Sequence, residues 1–111
     1  MDNIKDDSYY LAKIIRDIDF IIAHMSRLTK EDFSADEVLQ DSMMLRLVQI
    51  SENSAKMSEE FKTKRKNIPW KNIYGLRNRI VHDYGNVDLH VIYETLTDDI
   101  PELKKILAET E

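Results

Sequence analysis

Between Arg77 and Tyr84 the chain reads Arg-Asn-Arg-Ile-Val-His-Asp-Tyr, a run of chemically able side chains set between apolar anchors. A histidine, with an ordinary pKa near about 6.5, can pass a proton to or from a ribose 2′-hydroxyl or a leaving oxygen. An arginine offers a fixed fork of donors to the crowded charge of a phosphoryl transition state. Asn78 can place a phosphate or fix the imidazole tautomer, and Tyr84 can hydrogen-bond a phosphate or stack on a base. Together these types suit phosphodiester cleavage in RNA, by a route that requires no metal.

Their spacing limits how they can meet. Five residues advance about 500° along a helix, so Arg77 and His82 stand about 140° apart and do not share a face. Asn78 and His82, four apart, do share one, as do Arg77 and Tyr84, seven apart. The two rows are adjacent stripes, and two copies of the helix facing each other would close them into one cleft. A symmetric dimer supplies the missing geometry. Spacing alone is a weak signal, because Arg and His five apart occur by chance. The plainer reading has His82 and Tyr84 finishing a helix end and Arg77 on the surface.

The elements that must hold this stretch are helical. Leu11, Ile14, Ile15, Ile18, Ile21, Ile22, Met25 and Leu28 recur at three- and four-residue steps and predict a first helix over 4–29. His24 falls between stripe residues and is given no role. Ser34 and Glu37 have capping-box spacing and predict a second, antiparallel helix from 35 to about 64. Its buried line is Leu39, Met43, Leu47, Ile50, Ser54, Met57 and Phe61, flanked by Met44, Val48 and Ala55. Glu52 lies beside that line, where it is either a flank carboxylate or one that orients an arginine. Residues 62–67 form a basic link, and Pro69 suits the first turn of a third helix. That helix buries Trp70, Ile73, Leu76, Ile80 and Val81, and Gly75 within it permits a close approach or a kink. Gly85-Asn86 is expected to supply a left-handed stop and Asp88 the cap of a helix over 89–99. Val91, Ile92, Leu96, Ile100, Leu103, Ile106 and Leu107 continue the apolar stripe, with Pro101 bending or restarting the last segment.

The chain has 111 residues, enough for one core and too few for two ordinary domains, so a single domain over 1–111 is expected. Two Gly and two Pro leave little turn chemistry for a sandwich or barrel, while 33% charged residues suit amphipathic helices. The expected class is all-α, an antiparallel bundle of four to five helices. No cysteine is present, which removes disulfides, thiolate metal sites and cysteine nucleophiles and fits a cytoplasmic location. No metal and no cofactor are expected. No apolar run approaches the ~20 residues of a membrane span, and the acidic start is unlike a signal peptide.

The formal charge of -5 hides an uneven distribution. From Lys62 to His82 there are seven bases (Lys62, Lys64, Arg65, Lys66, Lys71, Arg77, Arg79) and no acid, which leaves nine bases against all 21 acids elsewhere. Screening cuts interactions off within roughly 8–10 Å, so this window can attract phosphate on an acidic protein. Arg79, Lys71, Lys66 and Arg65 are the candidate RNA contacts. A solvated basic loop is the alternative.

The run from Arg77 to Asp88 resembles the Arg-x4-His-x-Tyr signature of the HepT-like toxins of the HEPN superfamily. The likeness extends through Pro69-Trp70-Lys71-Asn72-Ile73-Tyr74-Gly75-Leu76, Ile50-Ser51-Glu52-Asn53-Ser54-Ala55 and Asp99-Ile100-Pro101-Glu102-Leu103, and so covers essentially the whole chain. One departure is Ser51, where the family often has Gly before the second-helix Glu. The resemblance implies a small all-α homodimer whose two motifs form one metal-independent ribonuclease site, with Arg77 and His82 catalytic and Asn78 assisting. It implies a toxin paired with an MntA-type nucleotidyltransferase antitoxin, which silences it by transferring AMP to the motif tyrosine, here Tyr84, with higher assembly as a further prospect. The substrate would be single-stranded or loop RNA, tRNA among the candidates. Two other readings stand beside it: a non-catalytic helical dimer that binds a nucleotide or a partner nucleotidyltransferase, and a helical oligomer whose motif is only a helix terminus.

Overall fold

Asp6 opens the first helix by accepting the Tyr9 backbone N–H at 3.0 Å, and α1 runs Asp7–Met25. In the computed structural model, which describes residues 5–82 and 84–110, all of the expected apolar positions of α1 from Leu11 to Met25 turn inward. Ile4, the expected start of this helix, lies outside the described residues, as does Asp83 within the motif. The helix stops short of the expected residue 29 because Ser26 turns extended and Arg27 adopts φ 72, the left-handed conformation that ends a helix.

The capping box stands five residues earlier than the sequence suggested. Thr29 and Asp32, not Ser34 and Glu37, exchange reciprocal backbone bonds of 3.1 Å and open a short helix α2, Lys30–Ser34, which exists to bury Phe33. Asp36 then caps α3, Glu37–Ala55, by accepting Leu39 N–H at 3.0 Å. The second helix was expected to continue to about 64, and it breaks at Lys56. Ser58 there caps α4, Glu59–Lys64, while donating its own N–H and hydroxyl to Asp7 at 2.7 and 2.6 Å. A serine with both a cap to make and a carboxylate to meet gains more from a break than from a continuous helix.

Those two bonds hold the Asp7 carboxyl below the usual range, with the Arg65 and Lys62 charges adding to the effect. A depressed carboxylate contributes stability above the ordinary aspartate range near about 4, and loses it as pH falls through the lowered value. Asp7→Asn should therefore be less stable than the parent at neutral pH in urea titrations, and the gap should close in acid. A gap that persists unchanged in acid would count against the assignment.

The third helix, α5, covers Trp70–His82, and its buried line is Ile73, Leu76 and Ile80. Val81, expected inside, is 47% exposed, because one residue past Ile80 turns about 100° away from the core. Gly75 meets no close approach: a Cβ built there would find nothing within 4 Å. Gly85 and Asn86 belong to a 3-10 turn, Tyr84–Asn86, and no glycine has positive φ, so the expected left-handed stop is replaced by a tightened turn.

Asp88 caps α6, Leu89–Glu94, accepting His90 N–H at 2.9 Å. A π turn over Thr95–Asp99 passes directly into α7, Ile100–Thr110, with Ile100 N–H reaching Thr95 O. Pro101 has no N–H and its ring would strike the carbonyl four residues back, so the wider turn ahead of it relieves both problems without ending the rod. Val91, expected inside, is 37% exposed.

The result is all-α among the described residues, as expected. Four long rods (α1, α3, α5 and the α6–α7 continuation) are joined by the short α2 and α4, which the expected four to five helices did not separate. Helix α3 is the central rod, packed on α1 and α5. Asp7 meets Ser58 while Asp17 meets Arg46, and Glu52 meets Arg77 while Tyr84 meets Asp41, so both packings are antiparallel. The Arg46–Asp17 pair, 2.8 Å long with Asp17 buried, ties α1 to α3, and the Arg46 guanidinium also covers the Phe20 ring at 3.7 Å. Among the described residues no helix is long and apolar enough to cross a membrane.

Candidate active site

Helix α5 places its motif residues on two different flanks. Arg77 sits on the α3 side, where its Nε donates to Glu52 Oε1 at 2.8 Å; the pair is 44% and 47% exposed, so it positions the guanidinium more than it stabilises the fold. With Nε engaged, Nη1 donates to Asn78 Oδ1 at 3.5 Å, and the side chain remains partly open to solvent. Asn78 and His82 are exposed on the outer stripe of the helix, four residues apart. Lys71 and Gly75 fall on that same stripe by helical geometry. Arg77 is therefore turned toward α3 while His82 faces away from the chain.

The approach of α5 to α3 is close at Glu52. Ser51 is buried and donates its hydroxyl to Tyr74 O at 3.3 Å across the two helices. Its side chain is small enough for the packing and satisfied by it.

Tyr84 also reaches α3, though it lies beyond the end of α5. Its hydroxyl donates to Asp41 Oδ1, and that bond pushes the phenol above the ordinary tyrosine range, with partial desolvation and the Asp41 charge acting in the same direction. Asp41 played no part in the sequence reading. The signal was its spacing, since eleven residues return to within about 20° on a helix, so Asp41 and Glu52 share one stripe of α3 roughly 16 Å apart. One end of that stripe holds Arg77 and the other holds Tyr84. Leu45, on the same stripe, is 56% exposed, and Val81, between the two motif residues in the chain, is nearly as open.

The basic window does not form one surface. Lys64 pairs with Glu60 at 2.9 Å and Lys62 with Glu59 at 3.7 Å. Arg65 lies over the Phe61 ring and bonds the Phe61 carbonyl at 3.4 Å, so it is half committed to the fold. Lys66, Lys71 and Arg79 make no ion pair among the described residues. Lys71 and Arg79 line an open groove of about 530 Å³ between α5 and α7, whose opposite wall carries Asp99 and Glu102. That groove lies on the flank of α5 away from Arg77, so of the four expected RNA contacts these two stand apart from the Arg77–Glu52 pair.

Residues 13–110 match the family model described as ribonuclease HepT-like. The chain is 35% identical over 100 residues to "Putative RNase TTE0752" of Caldanaerobacter subterraneus subsp. tengcongensis, covering 90% of this chain and 89% of that protein. It is 33% identical over 95 residues to "Probable ribonuclease HepT" of Thermococcus cleftensis, covering 86% of each. It is 34% identical over 101 residues to "Gamma-glutamylcyclotransferase and putative RNase MJ0434" of Methanocaldococcus jannaschii, spanning 46% of that longer protein. No solved structure matches.

Proposed function

Because the chain belongs to the HepT-like ribonuclease family of the HEPN superfamily, we propose that it is an RNA-cleaving toxin whose site is completed by a second copy of itself. The observation that carries this is the division of the motif within one chain: Glu52 draws Arg77 toward α3 while His82 stands open on the outer stripe. A cleft with both groups at one phosphate forms when two α5 helices face each other.

Two further features support a facing copy. Gly75 leaves bare backbone on the outer stripe, costing roughly 1 kcal/mol against Ala in a lone helix, and a neighbouring helix can approach closely there. Leu45 and Val81 leave apolar surface beside the motif that a partner would cover.

In the closed cleft, His82 exchanges a proton with the 2′-hydroxyl or the leaving oxygen, and the Arg77 guanidinium takes the charge that builds on the phosphate. Asn78 steadies the guanidinium or the phosphate. Glu52 is a positioning residue acting through Arg77. The route draws on these side chains and calls for no metal. Lys71, Arg79, Lys66 and Arg65 hold flanking RNA phosphates, which makes binding fall steeply with salt. A nucleotidyltransferase antitoxin of the MntA type silences the site by placing AMP on Tyr84.

The test uses complementation. Chains carrying Arg77→Ala and chains carrying His82→Ala, each inactive, are co-folded and assayed on single-stranded RNA. Mixed dimers should regain cleavage that neither parent shows. Activity in a monomeric sample, or no recovery in verified mixed dimers, would refute the shared site.

A further inference from the structure

Tyr84 is an unusual residue to find in a hydrogen bond with a carboxylate while half exposed. Its hydroxyl donates to Asp41, and 51% of the residue faces solvent. The pair borders an open cleft of about 350 Å³ lined also by Glu37, Gln40, Met44 and Val87, where Glu37 is the other acid. The phenolic oxygen is therefore reachable from outside and already in contact with a proton acceptor. A tyrosine without such a neighbour is a weak nucleophile near neutrality, because the phenol ionises only near about 10.

We propose that Asp41 is the proton acceptor that readies Tyr84 for nucleotidyl transfer from a nucleoside triphosphate. The inference rests on the reading above that Tyr84 is the modified residue. As the Tyr84 oxygen bonds to the α-phosphorus, the α–β phosphoanhydride bond breaks and pyrophosphate leaves with the electron pair. The phenolic proton passes to the Asp41 carboxylate and from there to solvent. In the resting pair the proton stays on Tyr84, since the same contact raises its pKa, and it moves only as the new bond forms. Once transfer is complete, Tyr84 has no proton to donate, and a phosphodiester anion stands beside Asp41 and Glu37. Like-charge repulsion then drives the modified side chain off α3.

The experiment measures AMP incorporation into the full chain from labelled ATP, at saturating concentrations of its nucleotidyltransferase. Asp41→Asn keeps an acceptor oxygen for the hydroxyl and removes the base. Its rate should fall about 10²-fold or more near neutrality, and should climb with pH toward the tyrosine range near about 10, where the wild type is flat. Asp41→Glu should recover part of the rate. An unchanged melting temperature for Asp41→Asn separates this from misfolding. Incorporation at the wild-type rate with the wild-type pH profile in Asp41→Asn would overturn the role of Asp41 and leave the modification reading standing. No label in the wild type, or label retained by Tyr84→Phe, would overturn the modification reading itself, and the role of Asp41 with it.

Discussion

The His82→Ala chain should leave RNA uncut under conditions in which the parent degrades it, with a rate lower by about 10²–10⁴-fold, the usual worth of a positioned proton-transfer group. The same substitution should relieve the growth arrest produced by expressing the chain alone. His82 lies in the last turn of α5, exposed, and contributes nothing to the buried line of Ile73, Leu76 and Ile80. Its loss should therefore shift stability by no more than about 0.5 kcal/mol. That separation is what makes the result interpretable: an inactive chain with an unchanged unfolding midpoint has lost chemistry. Equal toxicity of the variant and the parent would end the ribonuclease reading in favour of a binding module, for which the motif serves as a docking surface.

Arg77→Lys is the second large effect, and it distinguishes a fork from a charge. In the parent, Nε is taken by Glu52 at 2.8 Å while Nη1 donates to Asn78 Oδ1 at 3.5 Å, and the guanidinium stays partly exposed. A lysine has one ammonium and cannot serve both purposes: either it pairs with Glu52 or it reaches the phosphate unsupported. Cleavage should fall by about 10²–10³-fold, comparable to the loss of one preorganised donor at a developing oxyanion. RNA binding should change far less, because the positive charge remains. Glu52→Gln should give a smaller loss in the same direction, since a neutral acceptor still holds Nε while the orientation slackens. Full activity in Arg77→Lys would show that charge alone suffices and that the Glu52 contact is incidental.

Much of the frame was open to reading from residues 11 to 107 in order. Apolar spacing predicted the rods and their buried lines, because a helix buries one face wherever it packs and that demand is written in local sequence. The family likeness, carried by Arg77, His82 and Tyr84 at fixed spacing, was equally a local fact. Helix ends were less legible. Thr29 and Ser34 each had a plausible acid three residues on, and Ser58 looked like part of a continuing helix until Asp7, 51 residues away, drew it into a cap. The choice among competing caps is made by what lies across the fold.

The same reason governs the site. Sequence alone placed Arg77 and His82 about 140° apart on one helix, the angle from which the proposal of a second copy starts. It also raised Glu52 as a partner for an arginine. Tertiary structure decided which arginine Glu52 meets, set Asp99 and Glu102 across a groove from Lys71 and Arg79, and joined Tyr84 to Asp41 across 43 residues. Periodicity reports the angle of a side chain about its own helix. Which carboxylate waits at that angle depends on how two antiparallel helices settle against each other, and that is set by the packing of α3 between α1 and α5.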